Sequence, residues 1–152
     1  MILIYLYRMN NFKYTLLTIT CLVQQFLYAQ FNMQNIEIVR DNYGVPHVFT
    51  KTDAELAYGL AWAHAEDDFK TTQQAYLAGN SLLSTVIGKN GLGADFIAQF
   101  IGSEKLIDEN YERNVSPEYK KVLEGYSAGI NSYAAFHPEE VLSKKHTKLM
   151  IK

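Results

Sequence analysis

'IEIVRDNYGVPHVFTKTDAELAYGLAWAHAEDDF', residues 36–69, changes period partway along, and that change decides the fold class. Ile36 and Ile38 alternate with Glu37 and the polar Arg40, the two-residue repeat of a strand with one buried face. 'DNYGVPH' then supplies Asp, Asn, Gly and Pro in succession, a turn by composition, and 'PHVFTK' returns as a second strand. From Thr52 the repeat becomes helical. Thr52 and Glu55 have capping-box spacing at the head of 'DAELAYGLAWAHAEDDFKTTQQAYLAG', which predicts one long helix ending at Gly79. Trp62, Ala65, Phe69, Thr72 and Tyr76 fall on one stripe of it; Leu56, Leu60 and Ala63 fall on another. A β-hairpin followed by packed α-helices is an α+β arrangement.

Downstream, 'SLLSTVIG' reads as a shorter helix capped by Ser81, and 'GKNGLG' as a connector. That glycine-rich loop lacks the Lys-Ser/Thr ending and the preceding strand of a phosphate cradle. 'ADFIAQFIGSEKLIDENYE' resumes helical spacing, and Ser116 before Pro117 is a strong helix start. Tyr119, Val122, Leu123, Tyr126, Ile130 and Tyr133 then form an apolar stripe on a helix running to about Phe136.

Working back to the N-terminus, 'MNNFK' from Met9 is a short basic region, 'YTLLTITCLV' an apolar core, and 'QQFLYAQ' an exit with Ala29 at the cleavage position. Gln24 and Gln25 cut the apolar run below the ~20 residues a membrane span needs. The expected organisation is a signal peptide at 1–29, a body at 30–142 and a basic tail at 143–152, with export to a bacterial periplasm and no membrane contact after signal removal. The 152 residues are 48% hydrophobic, enough for one core. With 14 basic against 16 acidic side chains and no basic run to track a phosphate backbone, nucleic acid is not an expected partner. The single cysteine, Cys21, leaves the body without thiol chemistry.

'GYSAG', Gly125 to Gly129, matches the G-x-S-x-G pattern of a nucleophile elbow, which requires a strand ending at the serine. Here Ser127 falls in mid-helix, so its glycine and alanine neighbours read as close helix contacts, and a Ser127 esterase is a minor alternative. His64 with Glu66, Asp67 and Asp68 lacks helical metal-ligand spacing and reads as a solvated face. Asp67 is the exception, expected to be partly buried beside Leu56, Leu60 and Ala63 with Arg40 as its partner. His47 is expected to make a structural hydrogen bond in the turn, while His137 and His146 stand alone.

The combination of these segments resembles the penicillin acylase family, which includes the acyl-homoserine-lactone acylases. The resemblance rests on Arg40, Asp41, Tyr43, Gly44, Val45, Pro46 and His47 of the hairpin, and on Tyr58, Gly59, Ala65, Glu66 and Asp67 of the helix after it. 'VSPEYKKVLEGYSAGINSY' adds Gly125, Gly129 and Asn131, and the likeness spans about residues 36–142. These are signature positions of structural type; none is expected to be catalytic, substrate-binding or metal-binding. The resemblance implies an N-terminal-nucleophile hydrolase of linear amides, such as a β-lactam side chain or an N-acyl homoserine lactone. In that family an exported precursor cuts itself and exposes a serine as the first residue of its β chain. The serine attacks the amide carbonyl with its own α-amino group as base, and asparagine and backbone donors of the β chain form the oxyanion hole. None of these lies in the matched segment, so this chain is expected to be the inactive N-terminal part of an α chain.

The implied partners are the remainder of the α chain and the β chain, with a small amide substrate only in the intact enzyme. No cofactor is implied for this segment, although the intact family often binds a structural calcium through a later helix. Asp68 and Phe69 replace the Arg-Leu pair of penicillin-type members and lean toward the lactone acylases. The tail 'SKKHTKLMIK' matches no family pattern and reads as a run-off after a frameshift, an early stop or a misassembled gene. The rival from another class is a small exported helical binding module that meets its partner through Trp62, Phe69 and Tyr76.

Overall fold

The computed structural model describes residues 33–143; the segment read as a leader, Gln30, His146 and nearly all of the basic tail lie outside the described residues. Strands β1 (Glu37–Arg40) and β2 (Pro46–Phe49) pair antiparallel, with Ile38 opposite Val48 and Arg40 opposite Pro46. Helices α1 (Asp53–Gly79), α2 (Ser84–Ile87), α3 (Leu92–Ile101), α4 (Ser103–Asn114) and α5 (Pro117–Phe136) follow. The class is α+β, a hairpin leading into helices.

The hairpin turn is built by its own side chains. Asp41 Oδ1 accepts the backbone N–H groups of Tyr43 at 2.8 Å and Val45 at 2.9 Å, and Gly44 supplies a positive φ of 82° that a side chain would resist. Ile36, Ile38 and Val48 then close over Gly59 of α1, where a Cβ would meet all three side chains. A residue without a side chain is what lets the hairpin lie on the helix.

Thr52 Oγ1 accepts the Glu55 N–H at 3.2 Å, so the predicted cap is in place. Glu55 answers by accepting the Lys51 N–H at 3.3 Å and the Asn35 amide at 3.0 Å, which ties the 3-10 turn Met33–Asn35 to the helix start. The helix is not continuous, however. Asp68 leaves helical geometry (φ −158°, ψ 78°), its Oδ1 accepts the Thr71 N–H at 2.9 Å, and Thr72 Oγ1 donates to its carbonyl. An aspartate that caps the second half of α1 has replaced the uninterrupted helix expected from 'HAEDDFK'.

The principal packing is α1 against α5 through small residues. A Cβ on Gly125 would strike the Ala54 carbonyl, and one on Gly129 the Tyr58 carbonyl, so the two backbones are in direct contact. Ala61, Ala65, Phe69, Ile130, Tyr133 and Ala134 form the buried cluster beside this seam. Tyr133 sits edge-on to Trp62 at 5.4 Å and to Phe69 at 5.0 Å, favourable quadrupole geometry. Phe69 is thus buried in the core and Trp62 is packed partly buried against it, which leaves little of these two rings free for a partner. The second stripe fares differently: Ala63 is buried, but Leu56 and Leu60 are exposed, as is Tyr119 at the start of α5.

After α5 the chain is held by Gln73, which is buried on α1. Its Nε2 donates to the Glu140 carbonyl at 3.0 Å, and its Oε1 accepts the Leu142 N–H at 2.9 Å. Between the long helices, Ser81 does not cap α2; it takes a left-handed φ of 58° instead. The buried Asp95 of α3 does the capping, accepting the N–H groups of Leu83 at 2.8 Å and Ser84 at 2.9 Å. Gly102 (φ 69°) divides the helical stretch expected across 94–112 into α3 and α4.

Burial pushes the Asp95 carboxyl up, but hydrogen bonds from Ser84 and Leu83 outweigh it and leave the pKa lowered. Asp41, Glu55 and Asp68 are also lowered, led by their bonds to Val45, Asn35 and Thr71 respectively. A depressed folded pKa contributes stability that is fully present above the unfolded carboxylate value of about 4 and is lost as pH falls through the folded one. The fold is therefore expected to hold constant stability from pH 7 to about 5 and to weaken progressively below about 4. Asp95→Asn should flatten that acid limb in urea titrations followed by circular dichroism; an unchanged limb would remove Asp95 as a contributor.

Candidate functional site

Three places bring chemistry-bearing side chains together among the described residues. The first is the hairpin turn and the helix behind it. Arg40 Nη2 reaches Asp67 at 2.8 Å and Glu66 at 3.0 Å, while its Nη1 donates to the Gly44 carbonyl at 2.8 Å. One guanidinium thus fixes the turn onto α1, a use of its fork geometry that lysine could not copy. The expected Arg40–Asp67 pair is present, but the expected partial burial of Asp67 is not: its side chain is 53% exposed. Glu66 also accepts the Trp62 indole N–H at 3.2 Å, so the ion pair continues into the aromatic core.

The remaining signature residues divide by role. Ala65 and Tyr58 are buried on α1, Gly59 receives the hairpin, and Gly125 and Gly129 form the seam. His47 Nε2 lies 3.5 Å from Asp41 Oδ2, a marginal contact at the back of the turn. Tyr43 is almost wholly exposed and Pro46 opens β2. Asn131 Nδ2 is buried without a hydrogen-bond partner among the described residues.

The second place is Ser127. It lies in the middle of α5, preceded by α4 rather than by a strand, and no base is hydrogen-bonded to it among the described residues. His64 of α1 places Nδ1 3.2 Å from the hydroxyl of Tyr126, the residue before Ser127. Seam glycines on either side account for the 'GYSAG' pattern without an elbow.

The third is His137, which does not stand alone. Its ring stacks on Tyr133 at 4.3 Å, and Nδ1 lies 3.7 Å from both Glu139 Oε1 and Glu140 Oε1. Those three donors lie within 4.8 Å of one another. Burial chiefly, and the Glu140 carboxylate after it, pushes the Tyr133 hydroxyl up, so the phenol is neutral and can donate to Glu140. The set does not suit a structural calcium, which takes six to eight oxygen ligands. One imidazole nitrogen and two surface carboxylates fall short of that shell. Sequence reasoning missed the grouping, although 'HPEE' carries its three side chains within four residues.

Comparison with solved structures defines the class. The fold matches thermostable penicillin G acylase from Alcaligenes faecalis with a TM-score of 0.61 and 24% identity, over 77% of this chain and 63% of that one. The likeness is one of fold: a penicillin acylase-type arrangement that this chain shares over its hairpin and helices. The penicillin amidase family model matches residues 35–148, and the chain belongs to that family. The match runs into the tail read as non-family from 143 onward. Curated relatives are penicillin G acylase of Escherichia coli, 26% identical over 145 residues, and the acyl-homoserine lactone acylase QuiP of Pseudomonas fluorescens, 28% identical over 100 residues. These alignments cover 84% and 66% of this chain but only 16% and 12% of the relatives' lengths.

Proposed function

We infer that this chain is the N-terminal, α-chain portion of a penicillin amidase-like hydrolase acting on the carbon–nitrogen bond of linear amides. The match over residues 35–148 carries this reading. In it, the described residues supply scaffold: the Arg40 clamp orients the hairpin, and the Gly125–Gly129 seam sets the distance between α1 and α5. The nucleophile, its α-amino base and the oxyanion donors come from polypeptide outside the matched segment. Substrates in this reading are β-lactam side-chain amides or N-acyl homoserine lactones, the two substrate types that the relatives' names carry. The leader directs export to a periplasm, where the chain meets the rest of the α chain and the β chain.

The 152-residue chain by itself is expected to turn over neither a chromogenic phenylacetyl anilide nor an acyl-homoserine lactone above the uncatalysed rate. Turnover that Ser127→Ala abolishes would overturn the scaffold assignment and restore the esterase reading. Amidase activity untouched by that substitution would show that a nucleophile has been overlooked.

A further inference from the structure

Helix α3 is built inside out. Its inward side carries Ala94, the buried Asp95 and Ala98, with Asp95 spent on capping α2. Its outward side carries Leu92, Phe96, Ile97, Phe100 and Ile101, all more than half exposed, with Phe100 at 81%. The Phe96 and Phe100 rings stack on each other at 6.0 Å. Leu106 and Ile107 of α4 are likewise exposed. A helix normally turns its small and polar residues outward, so this arrangement is a buried face without its cover.

Charge and chain length bear on what covers it. Around the apolar residues, α4 carries Glu104, Asp108, Glu109 and Glu112 against Lys105 and Arg113. That acidic excess opposes an anionic lipid surface, which recruits basic side chains. The relatives contain this segment within far longer chains, of which it spans 16% and 12%. We propose that the outward face of α3, extended by Leu106 and Ile107, is the surface on which the remaining polypeptide of the amidase seats. The proposal rests on the family reading above and adds the location of the contact.

The test is co-expression of the full 152-residue chain with the part of Escherichia coli penicillin G acylase that lies outside its match to this chain. Co-purification is expected, and Phe96→Glu with Phe100→Glu should lower recovery at least tenfold while the helical circular dichroism spectrum is kept. Ile97→Lys, on the same face, serves if the double variant loses that spectrum. Co-purification unaffected by these substitutions overturns the proposal and leaves the family reading standing; no co-purification of the unaltered chain counts against both. A defined dimer of the chain alone, broken by the same substitutions, would make a second copy the occupant and overturn the proposal. Sedimentation with phosphatidylglycerol vesicles that the substitutions abolish would do so in favour of a membrane.

Discussion

Gly125→Ala and Gly129→Ala should each destabilise the fold by about 1–3 kcal/mol, the usual cost of forcing extra atoms into a packed interface. Intrinsic helix preference predicts the opposite sign, since glycine is about 1 kcal/mol worse than alanine inside a helix. Geometry decides between them: the added methyl groups would collide with the carbonyl oxygens of Ala54 and Tyr58, which are backbone atoms and cannot rotate away. Relief requires moving α5 off α1, and that opens the cluster of Ala61, Phe69, Ile130 and Tyr133. Gly79→Ala provides the control, because nothing lies within 4 Å of its added methyl. It should be neutral or stabilising by up to about 1 kcal/mol. Urea unfolding of the three variants reads the result; a stabilised Gly129→Ala would mean that the seam is looser than the contacts require.

Gln73→Leu should cost about 2–6 kcal/mol, taking roughly 1–3 kcal/mol for each of the two polar groups left unpaired. Leucine fills a similar volume, so little of the loss would come from a cavity. What disappears is the pairing of the Glu140 carbonyl and the Leu142 N–H, which no neighbouring side chain replaces. The segment can reduce its loss by peeling away into water. Hydrogen exchange should therefore rise at Leu142 well before it rises in the seam. Uniform acceleration across the molecule would instead indicate that Gln73 supports the whole core and not the exit of the chain from α5.

What could be read from sequence was local. The hairpin, the Thr52 cap and the Ser116–Pro117 start each reside within a few residues, and the structure contains all three. Long-range features escaped. Asp95 caps α2 from eleven and twelve residues away, leaving Ser81, the nearer candidate, without that role. Asp68 lies within a segment of helical spacing, and its interruption of α1 is seen in its non-helical backbone and its bond to Thr71. The exposed Leu56 and Leu60 illustrate a different difficulty: patterning weighted toward large apolar side chains overlooks an interface made of Ala54, Ala61, Ala65 and two glycines. The candidate site followed the same rule. Arg40 and Asp67 could be paired from charge and position, whereas the approach of Glu139 and Glu140 to His137 depends on the turn at Pro138–Glu140.

The seam between α1 and α5 also has a consequence in time. Gly125 meets Ala54 and Gly129 meets Tyr58, each pair 71 positions apart in sequence (125 − 54 and 129 − 58). The hairpin can settle on Gly59 as soon as α1 emerges from the ribosome, because those contacts span few residues. The alanine face of α1 has no such early partner. At a synthesis rate of 5–20 residues per second, it waits roughly 4–14 s for the glycines to be made. Throughout that interval the nascent chain presents an alanine-lined helix face whose partner helix does not yet exist.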